Sequence, residues 1–204
     1  MADLAGFYPT TTAPASVEVR PITPTLITTT HSGKTRRTGY GGQYYELTLR
    51  YAQMSPLQAR PIQGFMAAAF GPQLSFEIVL PEISYSASPV PPTGIPRTSS
   101  ALARGGKTVN LTNCGANKTV LVGGDFFRFA GHSKVYQATN TCLSNASGAA
   151  TLYFAGSATS SVSINSNVTI TAVPFTMILQ NPNQNYTVGI GGISTMTVEM
   201  REVW

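Results

Sequence analysis

Acid–base, nucleophilic and metal chemistry need carboxylates, imidazoles or thiols held at short range, and this chain has few of each. Its aspartates are Asp3 and Asp125, and its glutamates are Glu18, Glu46, Glu77, Glu82, Glu199 and Glu202. Glu46 and Glu77 fall on outward positions of two predicted strands, from which they could approach across a sheet as a glycosidase acid and base must. No histidine or carboxylate-rich cleft accompanies them, so they read as solvated or subunit-facing charges. His31 and His132 each sit in a Gly-rich turn without a Cys or carboxylate at ligand spacing, which argues against a metal site. His132, Asp125 and one of many serines can be composed into a triad, but no Gly-x-Ser-x-Gly context supports it. Gly124-Asp125-Phe126 reads as a turn in which the aspartate caps backbone amides. Gly33-Lys34-Thr35 imitates the end of a phosphate-binding loop, whose curl needs a glycine five positions earlier, where this chain has Thr28. The residues describe a protein that is not an enzyme and calls for no cofactor or metal.

The elements around these residues are mostly strands. In residues 43–51, Tyr45, Leu47, Leu49 and Tyr51 alternate with Tyr44, Glu46, Thr48 and Arg50, the period of a half-buried strand. Ile62, Phe65, Met66, Ala69 and Phe70 then repeat on one helical face, and Pro61 without its amide hydrogen predicts a short helix over residues 60–70 that starts close to it. Such a helix is marginal alone and must lie on a sheet. Leu74, Phe76, Ile78 and Leu80 form the inward side of the next strand. Residues 17–30 read as an edge strand protected by Pro21 and Pro24. Residues 31–42 read as a basic loop, a flexible cationic hairpin touching a neighbour. Residues 82–100 are a Pro-rich loop. A second half follows with strands near residues 107–112, 119–122, 125–129, 135–139, 150–154, 161–164, 167–172, 175–179 and 194–203. The last alternates in a way that would pair with residues 44–51. The expected fold is mainly β, a β-barrel or β-sandwich with one short helix packed on the sheet. Residues 1–16 are expected to be a flexible N-terminal arm anchored through Phe7 and Tyr8, and residues 17–204 the β-rich domain.

Composition narrows the partners. Only 10% of the 204 residues are charged, and the mean hydropathy is +0.04; depletion of charge marks surfaces that end against other subunits. The net charge is +5, and three of the thirteen cations, Lys34, Arg36 and Arg37, fall within four residues while the rest are scattered singly, without the broad basic stripe of a nucleic-acid binder, so nucleic acid is not an expected partner. No apolar run approaches the roughly 20 residues of a membrane span, and residues 1–15 lack the form of a signal peptide, which fits a chain made in and for the cytosol. There Cys114 and Cys142 are expected as buried thiols, although a bridge between them is allowed. The sequons at Asn110, Asn117, Asn145, Asn167 and Asn185 follow from an Asn- and Thr-rich composition.

Two blocks carry a resemblance. The first is Ser32-Gly-Lys-Thr-Arg-Arg-Thr38 running into Tyr44-Tyr-Glu-Leu-Thr-Leu49, Met54-Ser-Pro, Ala59-Arg-Pro, residues 67–71 and residues 74–81. The second is Gly124-Asp-Phe-Phe-Arg-Phe129, Lys134-Val-Tyr136 and Gly148-Ala-Ala-Thr-Leu152. Over about half its length the chain resembles bacteriophage tail proteins of the distal-tail, tail-hub and baseplate-ring class. That resemblance implies a structural virion subunit, assembled in the host cytoplasm as a homo-oligomeric ring, with a hexamer among the forms it allows and the symmetry left open. The ring would connect the tail tube to hub, peripheral or fibre proteins. The Asn- and Ser-rich second half departs from the class and leaves the tail layer open. The candidate inter-subunit contacts are Phe7, Tyr8, Lys34, Arg36, Arg37, Tyr40 and Tyr44. The alternative is a receptor- or glycan-binding adhesin module using Tyr40, Tyr44 and Tyr45 as stacking platforms.

Overall fold

The computed structural model describes residues 4–39, 42–182 and 185–204. It is mainly β with a single α-helix, as expected. In chain order the elements are β1 (Leu4–Phe7), β2 (Ser16–Ile22), β3 (Thr25–Thr29), β4 (Thr35–Gly39), β5 (Tyr44–Met54), α1 (Pro56–Ala68), β6 (Ser75–Ile78), β7 (Arg97–Thr98), β8 (Thr108–Thr112) and β9 (Thr119–Leu121). They continue with β10 (Phe126–Phe129), β11 (Tyr136–Ala138), β12 (Cys142–Leu143), β13 (Ala150–Ala155), β14 (Val168–Thr169), β15 (Phe175–Leu179), β16 (Tyr186–Val188) and β17 (Ser194–Glu202).

The first sheet runs β1-β6-β15-β17-β5-β2, with β16 paired to the early part of β17. Its centre is the antiparallel pair of β5 and β17, in register from Met196 opposite Tyr51 to Arg201 opposite Glu46. The two halves of the chain therefore share one sheet, as the alternation of the last strand predicted. Tyr45, Leu47, Leu49 and Tyr51 are all buried on one face with Phe76, Ile78, Met196, Val198 and Met200. The helix lies on that face through Ala59, Ile62 and Met66.

The helix begins earlier than Pro61 suggests. Ser55 precedes Pro56 at the first helical position, and the Gln58 side chain reaches back to accept the Ser55 amide at 2.9 Å. This end pattern outweighs the single lost hydrogen bond at Pro61, which sits on the exposed side of the helix. The far end also differs. Phe70 turns into the left-handed region at φ 49° and swings out to 69% exposure, so it is not part of the buried helical face.

Residues 4–15 are not a free arm. β1 pairs in parallel with β6, and Tyr8 is buried, its hydroxyl 3.1 Å from that of Tyr51 and its ring edge-on to Phe65 at 5.2 Å. From β1 at one sheet edge the chain crosses to β2 at the other, held on the way by Thr12 to the Gln58 carbonyl at 3.4 Å and by the Ala15 amide on the Arg50 carbonyl. One aromatic anchor inside the core outweighs the polar, Pro-containing composition that predicted mobility.

β6 and β15 are antiparallel neighbours, yet residues 84–172 lie between them in sequence. The chain leaves at a neck pinned by buried Ser84, whose amide donates to Leu80, whose carbonyl accepts from Val173, and whose hydroxyl accepts from the Leu80 amide at 2.9 Å. The excursion forms a second sheet, β14-β10-β11-β13-β8-β7. It curls until Arg97 bridges Asn167, closing a small barrel. Phe127, Phe129, Tyr136, Leu152 and Phe154 fill the interior. Phe126 points the other way and joins the core of the first sheet, 5.1 Å from Tyr45.

Candidate inter-subunit surface

β2 and β5 pair up to Ile22 opposite Tyr44, and the chain between them makes a second excursion. β3 and β4 pair only with each other, from Thr25 opposite Gly39 to Thr29 opposite Thr35. Every residue of both strands is exposed. Residues 17–30 are therefore two elements, an edge strand and one arm of this hairpin, because Thr23-Pro24 interrupts the ladder. The tip is closed by the Thr30 amide on the Lys34 carbonyl and the Gly33 amide on the Thr30 carbonyl, both 2.9 Å. Gly33 holds φ 78° there, a conformation open to glycine at no steric cost.

The basic residues fall on this hairpin. Lys34 follows the tip, Arg36 stands opposite Thr28, and Arg37 stands opposite Ile27. Leu26 and Ile27 are 48% and 63% exposed. A two-stranded hairpin with no buried face is marginal in water, and β3 carries neither charge nor proline to guard its edge. Phe7 is also exposed, on the edge strand β1. Tyr8 is a core residue, 3% exposed. Tyr40 lies outside the described residues. Tyr44 is half-buried on the outer face, tilted against Trp204 at 6.4 Å with the Arg201 guanidinium 5.7 Å over its ring.

Beneath Tyr44 lies a buried charge pair absent from the sequence reading. Lys134 and Glu202 form a salt bridge at 4% and 0% side-chain exposure. Glu202 also accepts the Val135 amide at 2.7 Å and the Tyr45 amide at 3.2 Å, so one carboxylate of the first sheet holds the start of β11 and the start of β5 together. Burial pulls the Lys134 ammonium down from its ordinary range and pushes the Glu202 carboxyl up; each charge opposes the shift of the other. A signal existed: Met196, Val198, Met200 and Glu202 share the inward phase of β17, and a charge at an inward position needs a partner.

The residues that could do acid–base chemistry lie apart. Glu46 and Glu77 stand on β5 and β6, three strands apart in the sheet, roughly 14 Å at ~4.8 Å per strand. Glu77 pairs with Arg128 at 2.8 Å, and Glu46 accepts from Gln180. The His132 Nδ1 meets the Tyr136 hydroxyl and its Nε2 meets Ser160 Oγ, both at 2.9 Å, far in role from Asp125, which accepts from Ser86, the Ala87 amide and the Val122 amide. Asp125 thus staples the Pro-rich loop to the turn before β10, the capping role its context predicted. Burial lowers the His132 imidazole. Cys114 and Cys142 are free and buried, their thiols pushed up to about 11 and about 12 by burial. Among the described residues no group of three or more His, Cys, Asp and Glu could hold a metal ion, and no helix is long and apolar enough to cross a membrane.

No protein-family model matches this chain, and no curated protein matches it in sequence.

Proposed function

We propose that the chain is a structural subunit of a phage virion, building a homo-oligomeric ring in the tail or baseplate between the tail tube and hub, peripheral or fibre proteins. The observation that carries the reading is the β3–β4 hairpin: ten strand residues, all exposed, with Leu26 and Ile27 beside Arg36 and Arg37. A ribbon without a core is retained where a partner supplies the missing face. The low charge of the chain and the resemblance of its two residue blocks to tail proteins support the same assignment. Phe7 on the opposite edge strand and Tyr44 at the hairpin's base are the remaining contacts in this reading.

The test is negative-stain imaging and sedimentation of the intact chain beside an Ile27→Asp, Arg37→Glu variant. Closed rings from the intact chain and monomers from the variant are expected, with identical far-UV circular dichroism. Rings that persist in the variant would remove the hairpin from the interface, and a monomeric intact chain at every concentration would count against self-assembly.

A further inference from the structure

A cleft of about 460 Å³ opens where the end of the first sheet meets the barrel, lined by Gln43, Arg104, Lys134, Ser157, Thr159 and Trp204 with glycines between them. Its volume is in the range of small-ligand sites, and a junction between two packed units is a common place for one. Lys134 is 3% exposed and closes the floor, its ammonium 4.7 Å from the Trp204 ring and 4.8 Å from that of Tyr45. Because Glu202 neutralises Lys134, Arg104 on the rim is the one lining cation without a carboxylate partner among the described residues. The side chains of Gln43, Arg104 and Ser157 make no hydrogen bond to the described chain, and all three residues line the same cleft. Trp204 remains 49% exposed.

We propose that this cleft binds an acidic sugar residue, a pyranose ring bearing one carboxylate. The lining offers a partner to each part of such a ligand: Arg104 a charge-assisted contact for the carboxylate, Gln43 and Ser157 hydrogen bonds for ring hydroxyls, and the Trp204 indole an apolar face for the ring. A nucleotide shares the ring and the negative charge, but its phosphates ask for several cations or a helix N-terminus, and one free cation does not meet that demand. The site differs from a platform built on Tyr40, Tyr44 and Tyr45, since Tyr45 is enclosed in the core. It is independent of the ring proposal, and either can fail alone.

Trp204 is the single tryptophan, so its emission reports the cleft without a label. The full chain is titrated with the methyl glycosides of glucuronic acid and N-acetylneuraminic acid, and with methyl glucoside, which lacks the carboxylate. A saturable emission change with at least one acidic sugar is expected, with binding about tenfold weaker for the glucoside and for Arg104→Ala or Gln43→Ala, the share of one or two hydrogen bonds. Both variants change side chains outside the buried core, and circular dichroism verifies their fold. No saturable change with either acidic sugar overturns the proposal. An equal response to glucoside, or one that survives Arg104→Ala, also overturns it, leaving unspecific contact with Trp204.

Discussion

Two excursions leave the first sheet through antiparallel neighbours, and they solve the problem of leaving a core in opposite ways. Residues 84–172 depart between β6 and β15 and build a barrel with its own interior, where Phe127, Phe129, Tyr136 and Phe154 form a cluster with ring centroids 5.2–5.8 Å apart. Residues 25–39 depart between β2 and β5 and bury nothing. The long excursion recovers its loop-closure entropy through its own packing, since that entropy grows only slowly with length. The short one has only its ladder, and its apolar side chains face water. An insertion with a core is a folding unit; an insertion without one is a contact surface whose second half is elsewhere.

The contrast is broken most strongly at the aromatic cluster. Phe129→Ala should cost about 3–5 kcal/mol by denaturant unfolding, whereas Ile27→Ala in the hairpin should stay within about 0.5 kcal/mol for the monomer. Equal losses would mean that the hairpin is packed in a way its exposure denies.

Next in size is the joint between sheet and barrel. Lys134→Met leaves Glu202 buried without its cation and should destabilise by about 3–5 kcal/mol, most of it recovered when Glu202→Gln is added. The glutamine keeps an acceptor for the Val135 or Tyr45 amide while removing the unpaired charge. A double variant as unstable as the single one would show that Lys134 acts through its ammonium over the Tyr45 and Trp204 rings rather than through Glu202.

The smallest effect is one of pH. Burial holds the His132 imidazole below its ordinary 6.5, so the unfolded chain takes up the proton first as pH falls. The stability His132 contributes is therefore present above pH 6.5 and declines as pH drops below it. His132→Gln should flatten this decline between about pH 7 and about pH 5 in thermal melts, and an unchanged profile would remove His132 from the acid response.

What was legible in the sequence follows the strength of local periodicity. The alternation through Tyr45, Leu47, Leu49 and Tyr51 identified β5, its inward face and its pairing with β17, because a one-residue slip would turn every side chain over. The turn at Gly33 and its clustered cations were legible, but residues 25–29 read as the end of one edge strand rather than as the hairpin's other arm. Tyr8 was not, because a single aromatic in a polar stretch has no period to declare which side it faces. The helix start is not legible from Pro61, because Ser55, Pro56 and Gln58 set an earlier N-terminus. The Trp204 cleft gathers residues from five separate parts of the chain, an arrangement that no local pattern encodes. The outward phase of Glu46 and Glu77 was right, but strand order, which local pattern does not fix, put two strands between theirs.

The central claim, that the β3–β4 hairpin is half of an interface between copies, is tested most directly by amide hydrogen exchange of residues 25–39 as the protein is concentrated. Rapid exchange in dilute protein, giving way to protection as oligomers form while barrel amides stay protected throughout, is the predicted result. A hairpin equally protected at all concentrations, or unprotected within a formed oligomer, would contradict it.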